Sequence, residues 1–271
     1  MAQASYSLLL VQVVADNDLA GIGVLVTRPR HQSKELVATI TAHGGSAIEW
    51  PVLEIIPRDA DAVRADERRL GSPDIAVFVS PNAVRHGLAF TADARIAVVG
   101  PATARAIEDS GRSVDIRSPG GYDSEHLLAE AELQDVDGKN IRIIRGDGGR
   151  ELLADTLRQR GATVEYLTVY ARSVPAYSES ELASLEQQWR SGAIRVVAVM
   201  SVESLRNLVS LLPDWCKGAL ANTLLVTPAA RVIQEAVRQF PGIPATLAAG
   251  TSAGDMVDAI VSSSKTTRGK H

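Results

Sequence analysis

Short apolar runs recur along the chain, each followed by a segment whose apolar positions return every three or four residues. Val24-Leu25-Val26 precedes an amphipathic stretch from about Ser33 to Ala42, then Gly44-Gly45, then a second strand-like run from Ala47 to Ile56. The same order returns later. Ile141-Arg142-Ile143-Ile144 leads into a helix from Arg150 to Arg160, then Gly161, then a strand from Thr163 to Tyr170. Glu35-Leu36 matches Glu151-Leu152, Gly45 matches Gly161, and Trp50 matches Tyr166. Each is a strand–helix–strand unit with glycine where the helix must end in a left-handed residue.

Two further pairs follow the same logic. Ile75 to Ser80 runs into a helix beginning near Asn82, and Val196 to Ser201 into one beginning near Glu203. In both, a serine stands where strand gives way to helix and can cap the first turn. Ile96 to Pro101 and Leu224 to Pro228 each lead into an alanine-rich helix. The order βαβ, βα, βα thus occurs twice, with a period of about 117–127 residues. Nearly continuous apolar strands flanked by helices predict parallel sheets covered on both faces. The fold class is α/β, with two doubly wound parallel-sheet lobes from an internal duplication. Ile56-Pro57-Arg58-Asp59 and Arg172-Ser173-Val174-Pro175 fall at matched points of the repeats. They predict a two-stranded linker between the lobes and a cleft between them.

Composition narrows the classes of function. Of 271 residues, 45% are hydrophobic and 22% charged, an ordinary globular mixture that excludes a disordered chain. Lys+Arg 28 against Asp+Glu 32 gives a net charge of −4, and aromatics are 4%. Without a basic field or stacking platforms, nucleic acid is excluded as a partner. Cys216 is the single cysteine, which excludes an internal disulfide framework and a thiolate zinc cluster. The apolar run Leu8 to Val14 is too short to span a bilayer, and Asp16 and Asp18 follow it where a cleavage site would lie. A cytoplasmic protein without a membrane partner is expected, with an extra strand or loose extension before Gly21 and a frayed polar tail from Ser262 to His271.

The turn Arg145-Gly146-Asp147-Gly148-Gly149-Arg150 follows a strand and opens a helix, a place where free amides attract anions. It lacks the dinucleotide fingerprint and the GxxxxGK[ST] loop, so it reads as a tight turn or general anion site, with a nucleotide-dependent enzyme using Gly146 to Gly149 as the weaker alternative. His31, His43, His86, His126 and His271 show no ligand spacing, and Cys216 has no neighbouring base, so neither a metal centre nor a thiol nucleophile is expected. What remains is the rule that doubly wound sheets bind ligands off the carboxyl ends of their strands. Those positions hold Thr27, Arg28, Ser80, Asn82, Gly100, Thr103, Arg145, Gly146, Tyr170, Ser201 and Thr227. Hydroxyls, amides and a few arginines suit a polyanion held by hydrogen bonds better than proton abstraction by a strong base.

The segments Val24 to Pro29, Pro51 to Ile55, Val77 to Val84, Val98 to Ala104, Ser124 to Leu128 and Leu167 to Pro175 form an ordered, spaced set. In that order and spacing they resemble the uroporphyrinogen-III synthase family. The resemblance implies that the first βαβ unit, to about residue 55, joins the C-terminal part from about residue 175, while residues 58–172 form the other lobe. The linkers then lie near 56–57 and 172–175.

It also implies a cyclising hydro-lyase acting on hydroxymethylbilane, a linear tetrapyrrole with eight carboxylates. The ring closes with loss of water and inversion of ring D through a spiro intermediate, giving uroporphyrinogen III, with no cofactor and no metal. A monomer is expected, with a transient hand-off of substrate from porphobilinogen deaminase. Tyr170 aligns with the tyrosine proposed to help the hydroxyl leave, and Ser80, Thr103 and Ser201 with cleft positions. The family often carries Gly-Pro-Thr-Thr-Ala where this chain has Thr227-Pro228-Ala229-Ala230. That departure leaves open a non-catalytic tetrapyrrole- or anion-binding protein descended from the synthase.

Overall fold

In the computed structural model, which describes residues 17–268 apart from 92, 122 and 150, the chain divides into two units. One runs to Glu54 and resumes at Val174, and the other is Ile55–Ser173. The run Leu8 to Val14, the predicted helix start at Arg150, and Gly269 to His271 of the tail lie outside the described residues.

The first unit holds β1 (Gly23–Val26), α1 (Arg30–Ala42) and β2 (Ser46–Glu49). After the second unit it continues with α8 (Glu179–Arg190), β9 (Ile194–Ala198), α9 (Val202–Leu211), α10 (Asp214–Leu220), β10 (Leu224–Thr227), α11 (Ala230–Gln239), β11 (Ala245–Leu247) and α12 (Ala253–Arg268). Its five strands lie in the order β11-β10-β9-β1-β2, all neighbours parallel. Leu25 packs into one core cluster while Val24 and Val26 pack into another, so alternate side chains of β1 are buried on opposite faces.

The second unit holds β3 (Glu54–Pro57), α2 (Ala60–Leu70), β4 (Ile75–Phe78), α3 (Pro81–Gly87), β5 (Arg95–Val98), α4 (Pro101–Glu108), β6 (Ile116–Arg117), α5 (Ser124–Leu128), α6 (Ala131–Gln134), β7 (Asn140–Gly146), α7 (Leu152–Gln159) and β8 (Thr163–Ser173). Its six strands are ordered β3-β8-β7-β4-β5-β6. The pairs β8–β7, β7–β4, β4–β5 and β5–β6 are parallel. Ile141 and Ile143 face one cluster and Ile144 the other. The fully buried Arg142 shares the alternation of Ile144.

The duplication has a physical signature. Gly44 and Gly161 end α1 and α7 with φ of +77° and +87°. A Cβ on either would strike a side-chain oxygen, Asn17 Oδ1 at 2.3 Å or Asp137 Oδ1 at 2.1 Å. The structural equivalent of Gly161 is therefore Gly44, one residue before the Gly45 that the sequence match selected. Strand register agrees, since Ser46 lies opposite Gly23 as Thr163 lies opposite Asn140.

Two further differences from the sequence reading have local causes. The run from Ala47 to Ile56 is two strands, β2 and β3, in different sheets. Pro51 has no N–H for a ladder, and Trp50 stacks on Tyr177 with ring centroids 3.7 Å apart. The tail is not frayed from Ser262: α12 continues to Arg268. Ser263 and Ser264 donate back to the carbonyls of Ala259 and Ile260, and Ser263 also bonds the Thr246 hydroxyl.

Candidate functional site

The carboxyl ends of β7 and β8 build the most chemically complete pocket of the second unit. It measures about 190 Å3, and its walls include Ser124, Arg145, Gly146, Gly149, Tyr170 and Arg172. Tyr170 is 5% exposed, so its ring is core and its hydroxyl is the working end. That hydroxyl lies 3.2 Å from Ser80 Oγ, and either can donate. Ser80 caps α3, accepting from the Ala83 amide at 3.1 Å. Helix α3 approaches β7 and β8 closely because Gly87 carries no side chain: a Cβ there would sit 2.3 Å from Ile144 and 3.3 Å from Val169. The capping serine is thereby set beside the phenol.

Arg145 is held rather than free. Its guanidinium carbon lies 3.5 Å from the Tyr166 ring centroid, and Nη1 donates to Glu151 at 3.1 Å. The Tyr166 hydroxyl donates to the same carboxylate. Tyr166 first and Arg145 second hold the Glu151 carboxyl below its usual range. Burial, then the Glu151 bond, pushes the Tyr166 phenol up. The Arg145 side chain is only 15% exposed, and its Nε is buried without a partner. Beyond the glycine turn, Asp147 accepts from the Arg172 amide at 2.9 Å and donates its own amide to the Tyr170 carbonyl at 3.0 Å.

Gly100 opens α4 and lines a neighbouring pocket of about 350 Å3 with Arg105 and Arg117, and Val99 borders both pockets. Asn82 sits half-buried in the first turn of α3, and Thr103 is buried within α4. Of the predicted residues in this unit, Ser80, Arg145, Gly146 and Tyr170 converge, while Thr103 is turned into the core.

In the first unit, Ser201 caps α9 through the Ser204 amide at 3.1 Å. With Glu203, Arg206, Asn207 and Arg231 it lines an open pocket of about 400 Å3. Thr27 is buried and donates to the Ala198 carbonyl at 2.7 Å, tying β1 to β9. Thr227 is also buried and accepts from the Ala229 amide at 3.3 Å. It thus partners one of the free amides at the start of α11, whose capping residue, Ala229, offers no side chain for the purpose. Arg28 donates from Nη2 to the Thr251 carbonyl at 2.6 Å, and burial lowers its pKa.

Sequence reasoning gave no functional role to Glu151 and Tyr166, which meet Arg145 only once β7, α7 and β8 are packed together. The signal available was the Trp50–Tyr166 match, which placed an aromatic at the right strand. Cys216 is buried in α10, and burial pushes its thiol up, which suits an inert packing role. Among the described residues no three His, Cys, Asp or Glu form a group that could hold a metal, and no helix is long and apolar enough to cross a membrane.

Comparison with known proteins gives a consistent outcome. The family model described as uroporphyrinogen-III synthase HemD matches residues 34–257. The chain is 33% identical over 204 residues to the uroporphyrinogen-III synthase of Salmonella typhimurium, covering 72% of this chain and 81% of that one. It is 32% identical over 207 residues to the Escherichia coli enzyme, with the same coverage. Among solved structures, uroporphyrinogen-III synthetase from Helicobacter pylori matches with a TM-score of 0.60 at 13% identity, covering 89% of this chain and 99% of that one. A mutant uroporphyrinogen III synthase from Thermus thermophilus matches with 0.58 at 19% identity, covering 91% and 99%. These two likenesses concern the fold.

Proposed function

The chain belongs to the uroporphyrinogen-III synthase family, and from that premise we propose how its own residues close the ring. It is a hydro-lyase of tetrapyrrole biosynthesis, with hydroxymethylbilane as substrate and uroporphyrinogen III as product. Loss of the terminal hydroxyl gives an electrophilic azafulvene, which unaided closes to the unflipped isomer. The protein must favour attack at the substituted carbon of ring D. That is a task of orientation, and positioning can contribute about 7–11 kcal/mol to a barrier.

The observation that carries the assignment is the aligned chain from the Ala83 amide to Ser80 to Tyr170 at the pocket wall. The amide occupies a lone pair of Ser80, leaving the serine proton to donate to the phenol oxygen. The phenol proton then points to the substrate. As the C–O bond breaks, Tyr170 protonates the departing oxygen and water leaves. The phenolate, held by Ser80, takes back the proton that the pyrrole nitrogen sheds as the azafulvene forms. Arg145, stacked on Tyr166, holds an acetate or propionate group beside it, with the backbone of Gly146, Gly148 and Gly149 at the same pocket wall. Asn82 and Gly100 serve other carboxylates in this unit, and Arg28 and Ser201 are the carboxylate-binding groups of the first unit. Thr27, Thr103 and Thr227 shape the strand ends from within.

The test couples the purified protein to porphobilinogen deaminase, then oxidises and separates the porphyrin isomers. Type III product supports the assignment, and type I alone overturns it. Tight product binding without turnover would instead make this a tetrapyrrole-binding descendant. Tyr170→Phe should lower kcat, and unchanged turnover would remove the role given to Tyr170.

A further inference from the structure

The β7–β8 ladder is regular up to Arg145 opposite Thr168, then slips so that Gly146 lies opposite Tyr170. Val169 is the extra residue of a β-bulge. In an unbroken strand Val169 and Tyr170 would face opposite sides, yet both are buried in the same core cluster. The bulge re-aims the phenol, a device found beside active sites. Its carbonyls are held from outside the ladder: that of Val169 accepts from the Arg58 amide at 3.0 Å and that of Thr168 from Arg58 Nη1 at 2.9 Å. Asp66 holds that guanidinium at 3.0 Å.

The re-aimed ring lies against Gly146. A Cβ on Gly146 would be 2.4 Å from Tyr170 Cε2, 2.6 Å from Cζ and 3.0 Å from Cδ2. Gly146 is not among the glycines with positive φ, so its backbone suits any residue. The ring, not the chain conformation, is what demands glycine here.

We propose that Gly146 is a positioning residue: by leaving room for the Tyr170 ring beside the Val169 bulge, it keeps the phenol hydroxyl on Ser80 and aimed at the departing hydroxyl. This rests on the proton-donor reading of Tyr170. A methyl group at 146 turns the ring away, and the loss falls on the chemical step rather than on binding.

The experiment is a double-mutant cycle of Gly146→Ala and Tyr170→Phe in the coupled isomer assay, with kcat and KM measured separately. The phenylalanine variant keeps the ring and hence the same crowding, but has no hydroxyl to misplace. With Tyr170 intact, Gly146→Ala is expected to lower kcat about ten-fold or more, with KM within about two-fold. In the Tyr170→Phe background the same change is expected to cost less than about two-fold. An equal loss in both backgrounds, or none with Tyr170 intact, overturns the proposal. Wild-type turnover in Tyr170→Phe alone overturns the proton-donor reading itself, and the proposal falls with it. Should Gly146→Ala not fold, Arg58→Met frees the Thr168 carbonyl and perturbs the same bulge. The same cycle then applies, with a kcat loss confined to the Tyr170 background expected and equal losses refuting.

Discussion

Removing the platform beneath Arg145 should weaken substrate binding without slowing the chemistry. In the resting protein the guanidinium is sandwiched between its own ion pair and an aromatic face, 3.5 Å from the Tyr166 centroid, and largely out of water. Tyr166→Leu removes the ring and the hydroxyl that Glu151 accepts. A cation–π contact of this kind is worth about 0.5–2 kcal/mol when partly desolvated. Since about 1.4 kcal/mol is a factor of ten, KM should rise roughly 2–30-fold. A carboxylate whose own bonds do not change in the reaction is gripped equally in ground and transition states, so kcat should stay within about two-fold.

Tyr166→Phe separates the two contributions. It keeps the ring and loses only the hydroxyl, so KM should move by no more than about three-fold. Both variants are read in the coupled assay with hydroxymethylbilane generated in place and uroporphyrin III quantified. An unchanged KM in Tyr166→Leu would refute the placement of a substrate carboxylate on Arg145. A fall in kcat matching that of Tyr170→Phe would move Arg145 from binding to chemistry.

The other predictions concern stability. Arg142 is 2% exposed, with Nη2 on the Gly71 carbonyl at 2.6 Å but Nε and Nη1 buried without partners, and burial lowers its pKa. Arg142→Met should therefore be as stable as wild type or more so, by about 0–3 kcal/mol, because an apolar side chain replaces a poorly satisfied charge. Arg142→Ala should lose about 2–4 kcal/mol through the cavity it leaves. Urea unfolding followed by circular dichroism measures both, and a methionine variant more than about 1 kcal/mol below wild type would contradict the reasoning. All three tryptophans, Trp50, Trp189 and Trp215, lie in the first unit, so their fluorescence separates that unit's transition from the second's. In the first unit, Arg238, then Arg206 and Gln239, hold the Glu235 carboxyl at about 2, from a usual 4.5. A depressed carboxylate stabilises fully above its unfolded value, and that stabilisation is lost as pH falls through the folded one. Melting temperatures of wild type and Glu235→Gln should hence differ above about pH 4.5 and converge toward pH 2. A gap that stays constant across that range would show that the ionised carboxylate contributes nothing.

Alternation of apolar residues, glycines after helices and serines at strand ends are local codes, and they made the parallel-sheet class, the duplication and the order of elements legible in one dimension. The strand-end rule also brought forward Arg145, Gly146 and Tyr170, which line one pocket, and Ser80, which bonds the Tyr170 hydroxyl. Other features depended on register and packing between distant segments. Pro51 is a local breaker, but that the two halves of the run it splits enter separate sheets is settled only by strand pairing. Thr27 and Thr227 turned inward because Ala198 and Ala229 offered partners there. The extra residue at Val169, the stacking of Arg145 on Tyr166 and the burial of Arg142 exist only once β7, β8 and their neighbouring helices are assembled. A strand's periodicity is written in its own residues. The face that each side chain finally meets is settled by neighbours remote along the chain, and a slip of one position reverses it.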